Sequence, residues 1–104
     1  MSETPTTTDP RLAALRDEID ALDEQIVELL ARRGAVVTRV GALKRELGSD
    51  EDAVRARDRV EGVVRKVRDL AAARGLDPRI ADRTYRALIE ALTDMQLGRL
   101  DEPR

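Results

Sequence analysis

Aliphatic residues recur along the first half of the chain in alternating steps of three and four: Leu12, Leu15, Ile19, Leu22, Ile26, Leu29, then Arg33, then Val36, Val40, Leu43 and Leu47. That period places them on one face of an α-helix; a strand would alternate every second residue. Sustained this far, it predicts a helix of roughly 57 Å, at 1.5 Å per residue. A small globule does not need such length, and a seam this long lies along a partner helix. Within the run LLARRGAVVTRVGALK the seam is broken once, by Arg33. A guanidinium in an aliphatic row is costly unless something anionic meets it.

The rest of the chain fits the same class. Helix formers dominate its 104 residues, and Tyr85 is the one aromatic, so the expected fold is all-α. One domain is expected over residues 9–100, between a Thr-rich, disordered tail at 1–8 and a short tail at 101–104. One long and two shorter helices cannot wrap a full core alone, which makes oligomerisation the natural remedy. The 19 basic and 21 acidic residues nearly cancel, without the basic excess of a nucleic-acid binder. Few aromatics also means no stacking platform for single strands. No apolar run reaches membrane-spanning length and the opening MSETPTTTDP has no signal-peptide core, so a cytoplasmic protein is expected.

Histidine and cysteine are both absent. Their absence removes the commonest general base, the commonest nucleophile pairings and most zinc sites. An enzyme made of this chain must catalyse a reaction with little proton transfer, and neither metal nor cofactor is expected. Few reactions qualify.

Punctuation sets the helix bounds. The tripeptide Asp-Pro-Arg occurs at Asp9-Pro10-Arg11 and again at Asp77-Pro78-Arg79. Each is a helix start, with a carboxylate to cap open N–H groups and proline at the first helical position. The first helix is predicted from about Pro10 to about Leu47, stopped by Gly48. The acidic linker GSDEDAV offers Ser49 or Asp50 as a cap for a second helix, from about Asp52 to Arg74, which Gly75 ends. Its predicted buried face is Val60, Val63, Val67 and Leu70. The third helix is predicted from Pro78 to about Arg99, with Ile80, Tyr85, Leu88, Ile89, Leu92 and Met95 apolar.

Several polar residues intrude on these faces. Arg33 and Lys44 are eleven residues apart and so lie within about 20° of each other on the helix, with Val37, Val40 and Gly41 between them. Gly41 costs roughly 1 kcal/mol in a helix interior relative to alanine. Its compensation is space, for a ligand or for a close helix contact. Arg16 lies about 100° around from Arg33 and roughly 25 Å away, so it can reach such a pocket only from the partner chain of a dimer. On the third helix the stripe Tyr85, Leu88 or Ile89, Leu92 continues to Gln96, and on the second Arg59 stands beside Val60. Each has a bland reading: a seam arginine snorkels, a glutamine at a stripe edge faces solvent, and Arg59 joins a basic run with Arg55, Arg57 and Arg65. Their joint arrangement favours an anion site.

The run LRDEIDALDEQIVELLARRGAVVTRVGALK strongly resembles the first helix of the all-α chorismate mutases, and ARGLDPRIADRTYRALIEALTDMQ is similar to their third. The resemblance covers roughly Leu12 to Leu97. It implies an intertwined helical homodimer with two identical sites, and a dianionic substrate, chorismate, from the pathway of aromatic amino acid biosynthesis. The implied reaction is the Claisen rearrangement to prephenate, pericyclic and free of acid–base steps. Position by position, Arg33 and the partner chain's Arg16 match the family's carboxylate-binding arginines. Lys44 matches the lysine that contacts the ether oxygen and a carboxylate, and Gln96 a second contact to that oxygen. Arg59 matches the second-helix arginine, and Val60 and Leu92 line the same implied site. Bidentate guanidinium groups suit carboxylates, and donors on the ether oxygen stabilise charge that grows as the C–O bond breaks.

Two features keep alternatives open. Typical members carry a glutamate after the second-helix arginine, where this chain has Val60. Arg-Val there is also seen in isochorismate-pyruvate lyases and in aminodeoxychorismate mutases of secondary metabolism. The Lys44 to Arg59 interval is about three residues longer than usual, so Arg55 or Arg57 are alternatives to Arg59, which is preferred because it keeps Val60, Val63 and Val67 on the core face. Some small members need a partner enzyme for full activity, so an activating partner is a further expectation. The non-enzyme alternative is a helical dimer that serves as a partner-binding module.

Overall fold

The computed structural model describes residues 9–48 and 53–100, the side chains of 53–55 excepted. The two tails and the expected Ser49 or Asp50 cap lie outside the described residues. Three α-helices are present, α1 (Pro10–Glu46), α2 (Ala53–Ala73) and α3 (Pro78–Gln96), with no strand among the described residues. The all-α expectation holds. The chain divides into two compact units, one ending at Val36 and the other beginning at Val37.

The first unit is the leading part of α1. Its start is built as the sequence implies: Asp9 accepts from the backbone N–H of Arg11 at 2.8 Å, and the Arg11 guanidinium closes back on the same carboxylate at 2.8 Å. That pairing holds the Asp9 carboxyl below its ordinary range. No residue of α1 is buried. The seam residues Leu15, Ile19, Leu22 and Leu29 stand 55–57% exposed. A helix with an aliphatic stripe gains most of its stability by burying that stripe, and here the described residues do not cover it.

In the second unit, α2 and α3 form an antiparallel hairpin. Its core is Val64, 2% exposed, with Ala71 and Ala81. Val60, Val63, Val67, Tyr85, Leu88, Ile89 and Leu92 are half-buried around it. The small side chains of Ala71 and Ala81 flank the connecting turn, where the helix axes must converge. One correction to the expected buried face follows, at Leu70, and two of the apolar positions named on the third helix, Ile80 and Met95, also stand outside the core. Leu70, Ile80 and Met95 are exposed, because the contact line on α2 runs through Val60, Val64, Val67 and Ala71, and on α3 through Ala81, Tyr85, Leu88 and Leu92. Alanines at 71 and 81 were unforeseen because their small apolar area gives little periodic signal.

Ion pairs edge the hairpin. Arg86 donates to both oxygens of Glu61, at 2.8 and 2.9 Å, and to Asp82 one turn before it on α3 at 2.8 Å. Arg68 of α2 meets the other Asp82 oxygen at 2.9 Å. These contacts, with Arg86 first in each case, hold Glu61 and Asp82 below the usual carboxylate range. The second Asp-Pro-Arg repeats the first: Asp77 caps α3 by accepting from the Arg79 N–H at 2.9 Å, with the guanidinium 2.6 Å from its carboxylate.

The helix stops are glycines in the left-handed region. At Gly75 (φ 79°) the N–H of Leu76 returns to the Ala71 carbonyl at 2.9 Å and that of Gly75 to Ala72 at 3.3 Å, a Schellman closure. The same closure at Gly98 (φ 71°), with Arg99 donating to Asp94 at 2.7 Å, ends α3 at Gln96 and not near Arg99 as expected. Gly98 was the available signal, and it places Gln96 on the final turn.

Candidate active site

The second unit brings one predicted site residue against α1. Gln96, at the end of α3, donates its carboxamide N–H to the backbone carbonyl of Val37 at 3.1 Å. Helix order explains the reach: Tyr85, Leu88, Ile89 and Leu92 form the half-buried stripe, and Gln96 continues it beyond the hairpin core. The amide lands at Gly41. A Cβ on residue 41 would stand 2.6 Å from Gln96 Nε2, and the Arg45 guanidinium passes 3.7 Å from the same point. The space that Gly41 leaves is therefore taken by the Gln96 side chain. The Val37 carbonyl itself was invisible to residue-type reasoning, because a main-chain acceptor has no sequence signature beyond the glycine that uncovers it.

Lys44 lies one helical turn after Gly41 on the same face of α1 and is solvent-exposed. On α2, Val60 turns half-buried into the hairpin, while Arg57 and Arg59 are exposed; the side chain of Arg55 lies outside the described residues. Leu92 is half-buried one turn before Gln96. Arg16 and Arg33 belong to the first unit, Arg16 exposed and Arg33 half-buried, in the one position of the seam that carries charge.

Ion pairs hold several further arginines. Arg11, Arg68, Arg79 and Arg86 are each within 2.9 Å of an aspartate or glutamate oxygen, so their charge is committed to caps and to the hairpin edge. No group of histidine, cysteine and carboxylate side chains suited to a metal ion occurs among the described residues. Surface grooves lie along α2 at Gly62, Arg65 and Lys66, along α1 at Asp23 and Val27, and at the start of α3 by Arg79 and Arg83. None of these grooves is lined by a residue that the sequence marks as a site residue. They are relief between side chains of a single helix.

The arrangement sets the Gln96 amide, a hydrogen-bond donor, beside the Arg45 guanidinium, with Lys44 one turn on from Gly41. Among the described residues, no helix is long and apolar enough to cross a membrane.

Comparison with known proteins adds the last observation. The sequence family described as chorismate mutase type II matches residues 15–97. The chain is also similar to the chorismate mutase of Methanocaldococcus jannaschii, 27% identical over 92 residues that cover 88% of this chain and 90% of that protein. No solved structure matches it.

Proposed function

Since the chain belongs to the chorismate mutase type II family, an isomerase family, we propose that it rearranges chorismate to prephenate in a cationic site completed by a second copy of itself. In this reading Arg33, and Arg16 of the partner subunit, hold the two carboxylates of the substrate. Lys44 and Gln96 donate to the ether oxygen, and Arg59 closes the site beside Val60 and Leu92. The observation that carries the reading is the meeting of Gln96 with α1 at Val37 and Gly41, one turn from Lys44.

The chemistry follows from charge. As the C–O bond of the enol-pyruvyl ether breaks, negative charge grows on its oxygen, and fixed donors are worth most where charge appears only in the transition state. Holding the flexible ether in its reactive chair removes much of the entropic barrier. No proton changes hands, which suits a chain without histidine or cysteine. Val60 brings an apolar surface where a ring hydroxyl would otherwise meet a carboxylate.

The second copy is supported by the uncovered seam. Each exposed leucine or isoleucine of α1 contributes on the order of 1 kcal/mol when its remaining half is covered, against the cost of association. A parallel reading keeps isochorismate-pyruvate lyase in play, because that pericyclic reaction needs the same cations and Val60 fits it. Purified protein given chorismate and isochorismate separately decides between them. Prephenate from chorismate is the expected product; salicylate and pyruvate from isochorismate, with chorismate untouched, reverses the assignment. A cyclic dicarboxylate analogue should raise the melting temperature by binding linkage. No shift at saturation favours a scaffold without a substrate site. We place the protein in the cytoplasm, in aromatic amino acid biosynthesis, where a partner enzyme would raise its activity.

A further inference from the structure

The geometry points to Gly41 as a positioning residue for catalysis: it opens the Val37 carbonyl sideways, so that this carbonyl fixes which way the Gln96 amide faces. The inference rests on the reading of Gln96 as a donor to substrate.

In an α-helix the Val37 carbonyl accepts from the N–H of residue 41, and the Cβ of residue 41 leans back over that same turn. Any side chain there would shield the carbonyl. Glycine does not, and the second lone pair becomes a lateral acceptor, taken by Gln96 Nε2 at 3.1 Å. The contact also chooses the orientation of the amide. With the group turned over, Oε1 would face the carbonyl oxygen and two acceptors would meet. One N–H is thus anchored on α1, and the other, fixed in the amide plane, is left to donate. The anchor matters because Gln96 is on the last turn of α3, with three side-chain torsions and an exposed side chain.

The steric test is sharp and selective. A Cβ at residue 41 would stand 2.6 Å from Nε2 and 3.6 Å from Cδ, so the amide must move. The displaced atom is the far end of a flexible chain, and the helix itself accepts alanine better than glycine. Gly41→Ala should therefore keep or raise the melting temperature while kcat falls about tenfold or more with KM changed far less. In the Gln96→Ala background the same Gly41→Ala change should alter kcat by less than about twofold, because its effect passes through Gln96. Equal losses in both backgrounds overturn the proposal, and so does full turnover by Gly41→Ala.

A second readout is independent of turnover. In the unliganded protein the Gln96 side-chain amide should give nitrogen-edited NMR signals with one hydrogen slowed in exchange. Gly41→Ala should shift those signals and abolish the slowing. Unchanged signals overturn the positioning role even if the enzyme is active. The expected signature in a protein that leaves chorismate intact would preserve the anchor and sink the substrate reading instead.

Discussion

The two units of this protein solve the burial problem differently. The α2–α3 hairpin has a small core of its own, centred on Val64, Ala71 and Ala81, and a charged edge that ties Glu61, Arg86, Asp82 and Arg68 together. The leading part of α1 carries larger aliphatic residues than the hairpin core, and none of α1 is buried. Size of hydrophobe and degree of burial are inverted between them. A helix so decorated carries an aliphatic stripe that the described residues leave exposed, while the hairpin is furnished from within.

The largest expected break in that contrast is Leu22→Asp. A charge in the middle of the seam should prevent the proposed dimer from forming and lower turnover by about a hundredfold or more, since a desolvated unpaired carboxylate costs several kcal/mol. Sedimentation and a chorismate assay read both effects. A variant that stays dimeric and active would show that the seam is not the interface. Next is Arg33→Ala. Its loss of activity, about a hundredfold or more, should far exceed its loss of stability, because it removes the proposed carboxylate anchor and takes a cation out of an apolar row. Undiminished kcat/KM would dismiss Arg33 from substrate binding.

Within the hairpin, Val64→Ala should cost about 2 kcal/mol in denaturant unfolding, from two lost methyl groups and the cavity left behind. A negligible cost would mean that α2 and α3 are not held by that core. Smallest is the charged edge. Glu61 and Asp82 have lowered pKa values through Arg86, so their contribution is present above the ordinary carboxylate range and fades as pH falls through the lowered values. Being exposed, the network should shift acid unfolding only slightly, and Arg86→Gln should flatten that shift. A large acid effect surviving in Arg86→Gln would locate the titrating groups elsewhere.

Much of this was legible in the residues. The repeated Asp-Pro-Arg specified two helix starts that prove nearly superposable in their hydrogen bonds, and Gly48 and Gly75 marked two stops. Family membership could be read from the first helix, whose charged and apolar spacing is dense. The exact contact line of the hairpin could not, because Val63 and Val64 are equal in hydrophobicity and only packing against α3 chooses between them. Gln96 stood out as a polar residue closing an apolar stripe. Its partner did not, since every residue carries a carbonyl and only tertiary approach singles out that of Val37.

Tyr85, half-buried on α3, is the single aromatic ring of the chain. Intrinsic fluorescence and near-ultraviolet dichroism therefore arise from one ring on α3, whereas amide ellipticity sums every helix. Dilution followed by both signals would give two curves from one sample, without any label. Their separation along the concentration axis would measure whether α1 and α3 depend on a second copy to different degrees.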